Sequence, residues 1–366
     1  MNDPRVETVA KILVDYSVAV QPGQLVRLSA KPEGEALLLA LYAAVLERGA
    51  HPWLDLRHEA TEELFYALAE EHQLDYVAPF ELAMIDAFDA SIGVWTDANT
   101  KRLSGADPAK QARRDRALGP LFDRFLERTA RDELRWVGTV HPTEAAQNAE
   151  MSLLEFERFV YDACLVHEPD PIAAWKAISA SQQRLVDWLS DKREIHVEGA
   201  DVDLRLSVAG RSWENCDGHE NFPDGEIFTA PIEDSVEGEI RFTFPACYSG
   251  REVEDVFLRF ERGKVVHAEA AKNLSFLEEM LGVDDGARHV GEFAFGTNEG
   301  ITRFTKETLF DEKIGGTIHL ALGKGYPETG SKNDSAIHWD MVCDLRDGGR
   351  VLVDGETFLE AGTFTI

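Results

Sequence analysis

Apolar and polar positions repeat with two different periods along this chain, and the period changes near the middle. In the first half, Val6, Val9, Ile12, Leu13 and Tyr16 recur at helical spacing. Pro22-Gly23 interrupts them, and residues 24–29 then read as a strand. Residues 33–48 read as a second helix, stopped by Gly49. Trp53-Leu54-Asp55-Leu56 reads as the next strand. Strand, helix and strand with short connections form a βαβ unit, which implies parallel strands. The alternation continues with a helix over 61–71, a strand over 90–95, a helix over 108–129 and a strand over 134–140. Helices over 153–164 and 171–189 close this half.

Beyond residue 190 the pattern shortens. Residues 194–197 and 202–208 alternate as strands around the turn Glu198-Gly199-Ala200-Asp201. Glycines and short β-rich runs dominate to the end, apart from helical spacing over 270–281. The expected architecture is an α/β N-terminal domain with a parallel sheet (1–190) and a mostly β C-terminal domain (191–366). A length of 366 residues fits two such cores.

Charge narrows the partners. Asp and Glu number 67 against 37 Lys and Arg, for a net charge of -30. Such a surface repels phosphates, which argues against nucleic acid and anionic membrane. Most of the excess reads as solvated surface. The longest apolar run, 36–46, is too short to span a bilayer, and the N-terminal segment is amphipathic, unlike a signal peptide. The four cysteines form no C-x-x-C pair and suit a reducing compartment, so a cytoplasmic location is expected. No G-x-G-x-x-G, P-loop, G-x-S-x-G or H-E-x-x-H motif is present.

A few polar residues stand inside apolar runs. His338 and Asp340 flank Trp339 in a strand-like stretch, and positions i and i+2 of a strand share a face. His319 lies in Thr317-Ile318-His319-Leu320-Ala321-Leu322, where a hydrogen-bonded core histidine is the plainer reading. Glu292 is enclosed by Gly291 and Phe293-Ala294-Phe295, and Glu226 precedes Ile227-Phe228. Buried acids need partners. One cation cluster would explain three carboxylates and two histidines in four apolar β segments. The charges of Glu226, Glu292, Asp340 and a hydroxide would balance two divalent ions. Oxygen and imidazole donors without thiolate suit catalytic Zn²⁺, Co²⁺ or Mn²⁺. An iron facial triad would need a histidine after His338, and none follows.

Several stretches then form an ordered set: Gly286-Ala287-Arg288, Gly291-Glu292, Leu309-Phe310-Asp311-Glu312, His319-Leu320-Ala321-Leu322-Gly323, Tyr326-Pro327 and Ile337-His338-Trp339-Asp340. Together they closely resemble the thermophilic aminopeptidase T family of metallo-aminopeptidases. Tyr16-Ser17, Val20-Gln21-Pro22-Gly23, His141-Pro142-Thr143-Glu144 and Glu226-Ile227-Phe228-Thr229 fit the same family. The resemblance implies a metalloprotease that releases N-terminal residues from short peptides with two divalent ions, zinc or cobalt among them. It implies Glu226, Glu292, His319, His338 and Asp340 as metal ligands and Tyr326 as the active-site tyrosine; a metal-facing carboxylate, Glu292 or Glu226, is the expected proton acceptor. It also implies a homodimer with an enclosed cavity. Read alone, Tyr326 would be a buried tyrosine beside a proline turn. Another dinuclear amidohydrolase, acting on a non-peptide amide, and a non-catalytic, metal-stabilised binding protein are the alternatives.

Overall fold

The protein is described by a computed structural model covering residues 3–97, 99, 102–103, 105–248 and 250–366; Met1 and Asn2 of the N-terminal amphipathic segment lie outside the described residues. The chain divides into two compact units, Met1–Ile172 with Gly218–Phe222, and Ala173–Asp217 with Pro223–Ile366.

The first unit is built on a wholly parallel sheet. Its strands are β1 (Leu25–Ala30), β2 (His51–Leu56), β3 (Ala90–Trp95) and β4 (Arg135–Val140), in the order β2-β1-β3-β4. A short strand, Asn221–Phe222, pairs parallel to β4 from far along the chain. No local periodicity announces a two-residue strand. Helix boundaries follow local chemistry. Asp3 caps Pro4–Ile12 by accepting from the Arg5 amide, with Pro4 at the first helical position. Ser152 and Glu155 form a reciprocal capping box before Leu153–Ala163. The helix expected over 61–71 is split. Ala69 is extended, and Glu70 starts a new turn, Glu71–Leu74, with its own capping box. A further helix, Pro79–Ala87, carries Phe80, Leu82, Ala83, Met84 and Ile85 almost in succession, so they mark no single face in the sequence.

The second unit is mostly antiparallel β. One sheet of eight strands includes the hairpin Glu194–Gly199 and Val202–Ser207. The second sheet runs in the order His338–Asp344, Thr317–Gly323, Val290–Gly296, Glu226–Thr229 and Glu214–Cys216. Its central strands, Thr317–Gly323 and Val290–Gly296, are buried at every position. The helix expected over 270–281 is confined to Leu274–Met280. Lys272 still bridges to Glu254, and Asn273 turns the chain through a left-handed φ of 60°.

Alternation along this second sheet separates two faces. Phe293, Phe295, Ile318, Leu320, Leu322, Trp339 and Met341 join the unit's apolar core. Glu292, Ala294, His319, Ala321, His338 and Asp340 occupy the alternate positions.

Candidate metal centre

Register brings the polar residues of that face together. Ala321 pairs with Glu292 on one side and Asp340 on the other. Its methyl group is small enough for the two acids to approach each other across it. Gly323 pairs with His338, and Gly296 pairs with Glu226. The register between Val290 and Glu292 shifts by a bulge at Gly291. A bulge re-aims the side chain beside it, here Glu292. A Cβ at Gly291 would lie 2.3 Å from the Gly323 carbonyl and 2.5 Å from that of Lys324.

All five residues singled out in the sequence lie in one cluster. His319 Nε2 is 3.0 Å from Glu292 Oε1 and 3.6 Å from Glu226 Oε2. His338 Nε2 is 3.4 Å from Asp340 Oδ1 and 3.7 Å from Glu292 Oε2. Glu292 therefore stands between the two imidazoles, one oxygen toward each. The other ring nitrogens are engaged. His319 Nδ1 donates to the Glu312 carbonyl at 3.0 Å, and His338 Nδ1 donates to that of Lys324 at 2.7 Å. This leaves both Nε2 atoms facing the carboxylates, as a metal-binding imidazole requires. Tyr326 lies beside the cluster, its ring 5.2 Å from His338 and 5.3 Å from Phe228.

The donor set fits a cation. Glu226 Oε2 and Asp340 Oδ1 are buried and make no hydrogen bond among the described residues. Orphaned carboxylate oxygens in the interior are costly unless a cation meets them. Glu292, His319 and Asp340 offer ligand atoms mutually within 4.8 Å, and so do Glu226, Glu312 and His319.

Electrostatics tell the same story. Burial pushes the Glu226 carboxyl up to about 8 against the pull of Lys313. Burial would lower His319, but its hydrogen bond with Glu292 and the charge of Glu226 outweigh it and raise it to about 9. On His338 burial is likewise outweighed, by Asp340, and the pKa rises to about 10. Burial opposes ionisation of Asp340, yet His338 holds it below the usual carboxylate range. The acids outnumber the bases, and the site draws positive charge.

Sequence reasoning missed the residues behind this cluster. Lys313 is wholly buried, with Nζ 3.4 Å from Glu226 Oε1, 3.9 Å from Asp224 Oδ1 and in close contact with Glu312 Oε1. Cys216 lies beside Asp224 and Glu226. Buried Gln182 donates to the Glu226 carbonyl at 3.1 Å and accepts from Thr297 Oγ1 at 2.9 Å. The charged triplet Asp311-Glu312-Lys313, set between apolar residues just before the buried strand, was the available signal.

Comparison with known proteins places the chain as a whole. The family model for thermophilic metalloproteases (M29) matches residues 2–364. Aminopeptidase 2 of Geobacillus stearothermophilus is 28% identical, over 97% of this chain and 94% of that protein. Aminopeptidase T of Thermus thermophilus is 29% identical, over 98% and 96%. The solved structure of wild-type AmpT from Thermus thermophilus superposes with a TM-score of 0.86 at 26% identity, covering 99% of both chains. A 2,5-dihydroxypyridine dioxygenase from Pseudomonas putida shares the fold alone, with a TM-score of 0.60 at 14% identity. Matched from end to end by sequence and by fold, the chain belongs to the thermophilic metalloprotease family M29.

Proposed function

We propose that this protein is a metallo-aminopeptidase that removes the first residue of short peptides. The observation that carries this reading is the convergence of five donor side chains, with two buried carboxylate oxygens left without hydrogen bonds, in a member of a metalloprotease family. Relatives of similar length bear the name aminopeptidase.

Glu226 and His319 would hold one divalent cation, and His338 and Asp340 a second. Glu292, with an oxygen toward each imidazole, would be shared by both. Zn²⁺, Co²⁺ and Mn²⁺ all suit this donor set. Bound there, the ions supply Lewis acidity, which lowers the pKa of water and polarises a carbonyl. A carboxylate of the cluster, Glu292 or Glu226, would accept the proton of the attacking water. Tyr326 is 40% exposed beside His338, while its hydroxyl end is drawn out of water. Burial, with Glu292 and Asp340 nearby, raises that hydroxyl above its ordinary range and keeps the proton on it. It is the donor to the oxyanion that develops on the scissile carbonyl.

The same reading includes a homodimer in the cytoplasm. Exposed apolar side chains on the first unit support an assembly: Leu54 and Leu56 on the edge strand β2, Leu64 and Leu68 on the helix Glu59–Leu68, and Phe80. The four cysteines form no disulfide among the described residues, in keeping with a reducing compartment.

Elemental analysis of the purified chain tests the ligand assignment. Two ions per chain are expected in the wild type and fewer in His338→Ala. Full occupancy in His338→Ala would remove the assignment.

A further inference from the structure

Lys313 is the strangest residue of the second unit. Its side chain is wholly inaccessible, and an ammonium group moved out of water costs several kcal/mol unless it is paired. Its partners are three carboxylates, Asp224, Glu226 and Glu312. An ammonium has no lone pair and cannot be a ligand. Its recorded contact with Glu226, however, is to Oε1, 3.4 Å away. Oε2 is the oxygen that faces His319 Nε2 and makes no hydrogen bond.

The frame around this contact is tied down on both sides. The Lys313 carbonyl accepts from the Asn298 amide at 3.0 Å, and Asn298 Nδ2 donates to the Asp224 carbonyl at 2.7 Å. Gly225, between Asp224 and Glu226, has a φ of 127°, and a Cβ there would meet Asn298 Cβ at 2.7 Å. Gln182 holds the Glu226 carbonyl from the other side. Backbone and ammonium together leave the Glu226 carboxylate little freedom.

We propose that Lys313 is a positioning residue: it grips Oε1 of Glu226, turns Oε2 toward the cation and so sets the affinity of the Glu226–His319 subsite. This inference rests on the cation cluster described above. Groups that orient a metal ligand change metal affinity about 10–100-fold when removed. A corollary concerns the neighbouring cluster of Cys216, Asp224 and Glu226. The Lys313 ammonium supplies the positive charge its acids require, so that cluster takes no third ion.

The test titrates Zn²⁺ alone into the ion-free full-length chain and follows heat and ion content, with folding checked by circular dichroism. The variants are Lys313→Met, Glu312→Gln and the two combined. The wild type is expected to take two ions; failure to take any would overturn the cluster itself, independently of Lys313. Glu312→Gln measures what the Glu312 carboxylate, itself within reach of Glu226 and His319, contributes to binding, and it is the reference for the double variant. Lys313→Met is expected to keep one ion at wild-type affinity and bind the other about 10–100-fold more weakly. If Lys313 only neutralised Glu312, the double variant would bind as Glu312→Gln does. The proposal predicts that the double variant keeps the weakened step, which also decides the matter if Lys313→Met alone does not fold. Wild-type affinity for both ions in either Lys313 variant that folds overturns the proposal, and so does a third tight ion in the wild type.

Discussion

Single atoms decide the chemistry proposed for Tyr326. Its hydroxyl is the one part of the side chain that phenylalanine lacks, while the ring contacts with Phe228 and His338 would survive the change. Tyr326→Phe should therefore lower turnover about 10²–10³-fold, the usual loss for one oxyanion donor. Ion content should stay at the wild-type value. Unchanged turnover would take Tyr326 out of the mechanism. His141 governs a different property. It is half-buried after β4, and burial lowers its pKa below the ordinary 6.5, outweighing Glu157 and Asp3. The folded state thus keeps His141 neutral at pH values where the unfolded chain protonates it. The stability that depends on the neutral form is present above pH 6.5 and is lost as pH falls through the depressed folded value. Thermal midpoints measured from pH 7.5 down to pH 5.5 should fall less steeply in His141→Gln than in the wild type. Parallel slopes would show that His141 contributes nothing to the acid limb.

At the scale of elements, the site depends on how two strands pair. Gly291 bulges out of register, and its Cα hydrogen faces the carbonyls of Gly323 and Lys324. Gly291→Ala would force a methyl group against fixed backbone, an overpacking that costs about 1–3 kcal/mol. It should also swing Glu292 away from the imidazoles, so denaturant midpoint and ion content should drop together. A stable Gly291→Ala with full ion content would contradict this role for the bulge. Much of this element logic was visible in the chain. His338 and Asp340 sit two apart in an apolar strand, and that spacing alone puts them on one face. The buried acids Glu226 and Glu292 stood out because apolar runs rarely enclose a carboxylate. The strand–helix alternation of the first half and the hairpin after residue 194 were legible for the same reason, since each has a clean period. Lys313 was hidden because a lysine beside two acids reads as a solvated surface run. Asn221–Phe222 was hidden because pairing with β4 depends on chain brought from elsewhere, and two residues carry no period. Pro79–Ala87 was missed because its apolar residues Phe80, Leu82, Ala83, Met84 and Ile85 run almost in succession and mark no single face.

The whole molecule is strongly acidic, yet few of its 67 acidic residues enter the cluster. The remaining charge suits a neutral or cationic peptide better than a polyanion. Leu54 and Leu56, on the uncovered edge strand of the first unit, are 40% and 57% exposed, more apolar exposure than a sheet edge usually leaves unmanaged. Sedimentation should return twice the 40.8 kDa chain mass, and a species of the single mass at micromolar concentration would contradict the homodimer. The central claim is the reaction itself, and one assay reaches it directly. Aminoacyl anilides and their N-acetylated counterparts are offered to the purified protein as isolated, after chelation, and after return of Zn²⁺, Co²⁺ or Mn²⁺ singly. A metallo-aminopeptidase cleaves only the free-amine series, stops on chelation and recovers with at least one of the ions. Cleavage that survives complete removal of metal, or that proceeds equally on the acetylated series, would contradict the account.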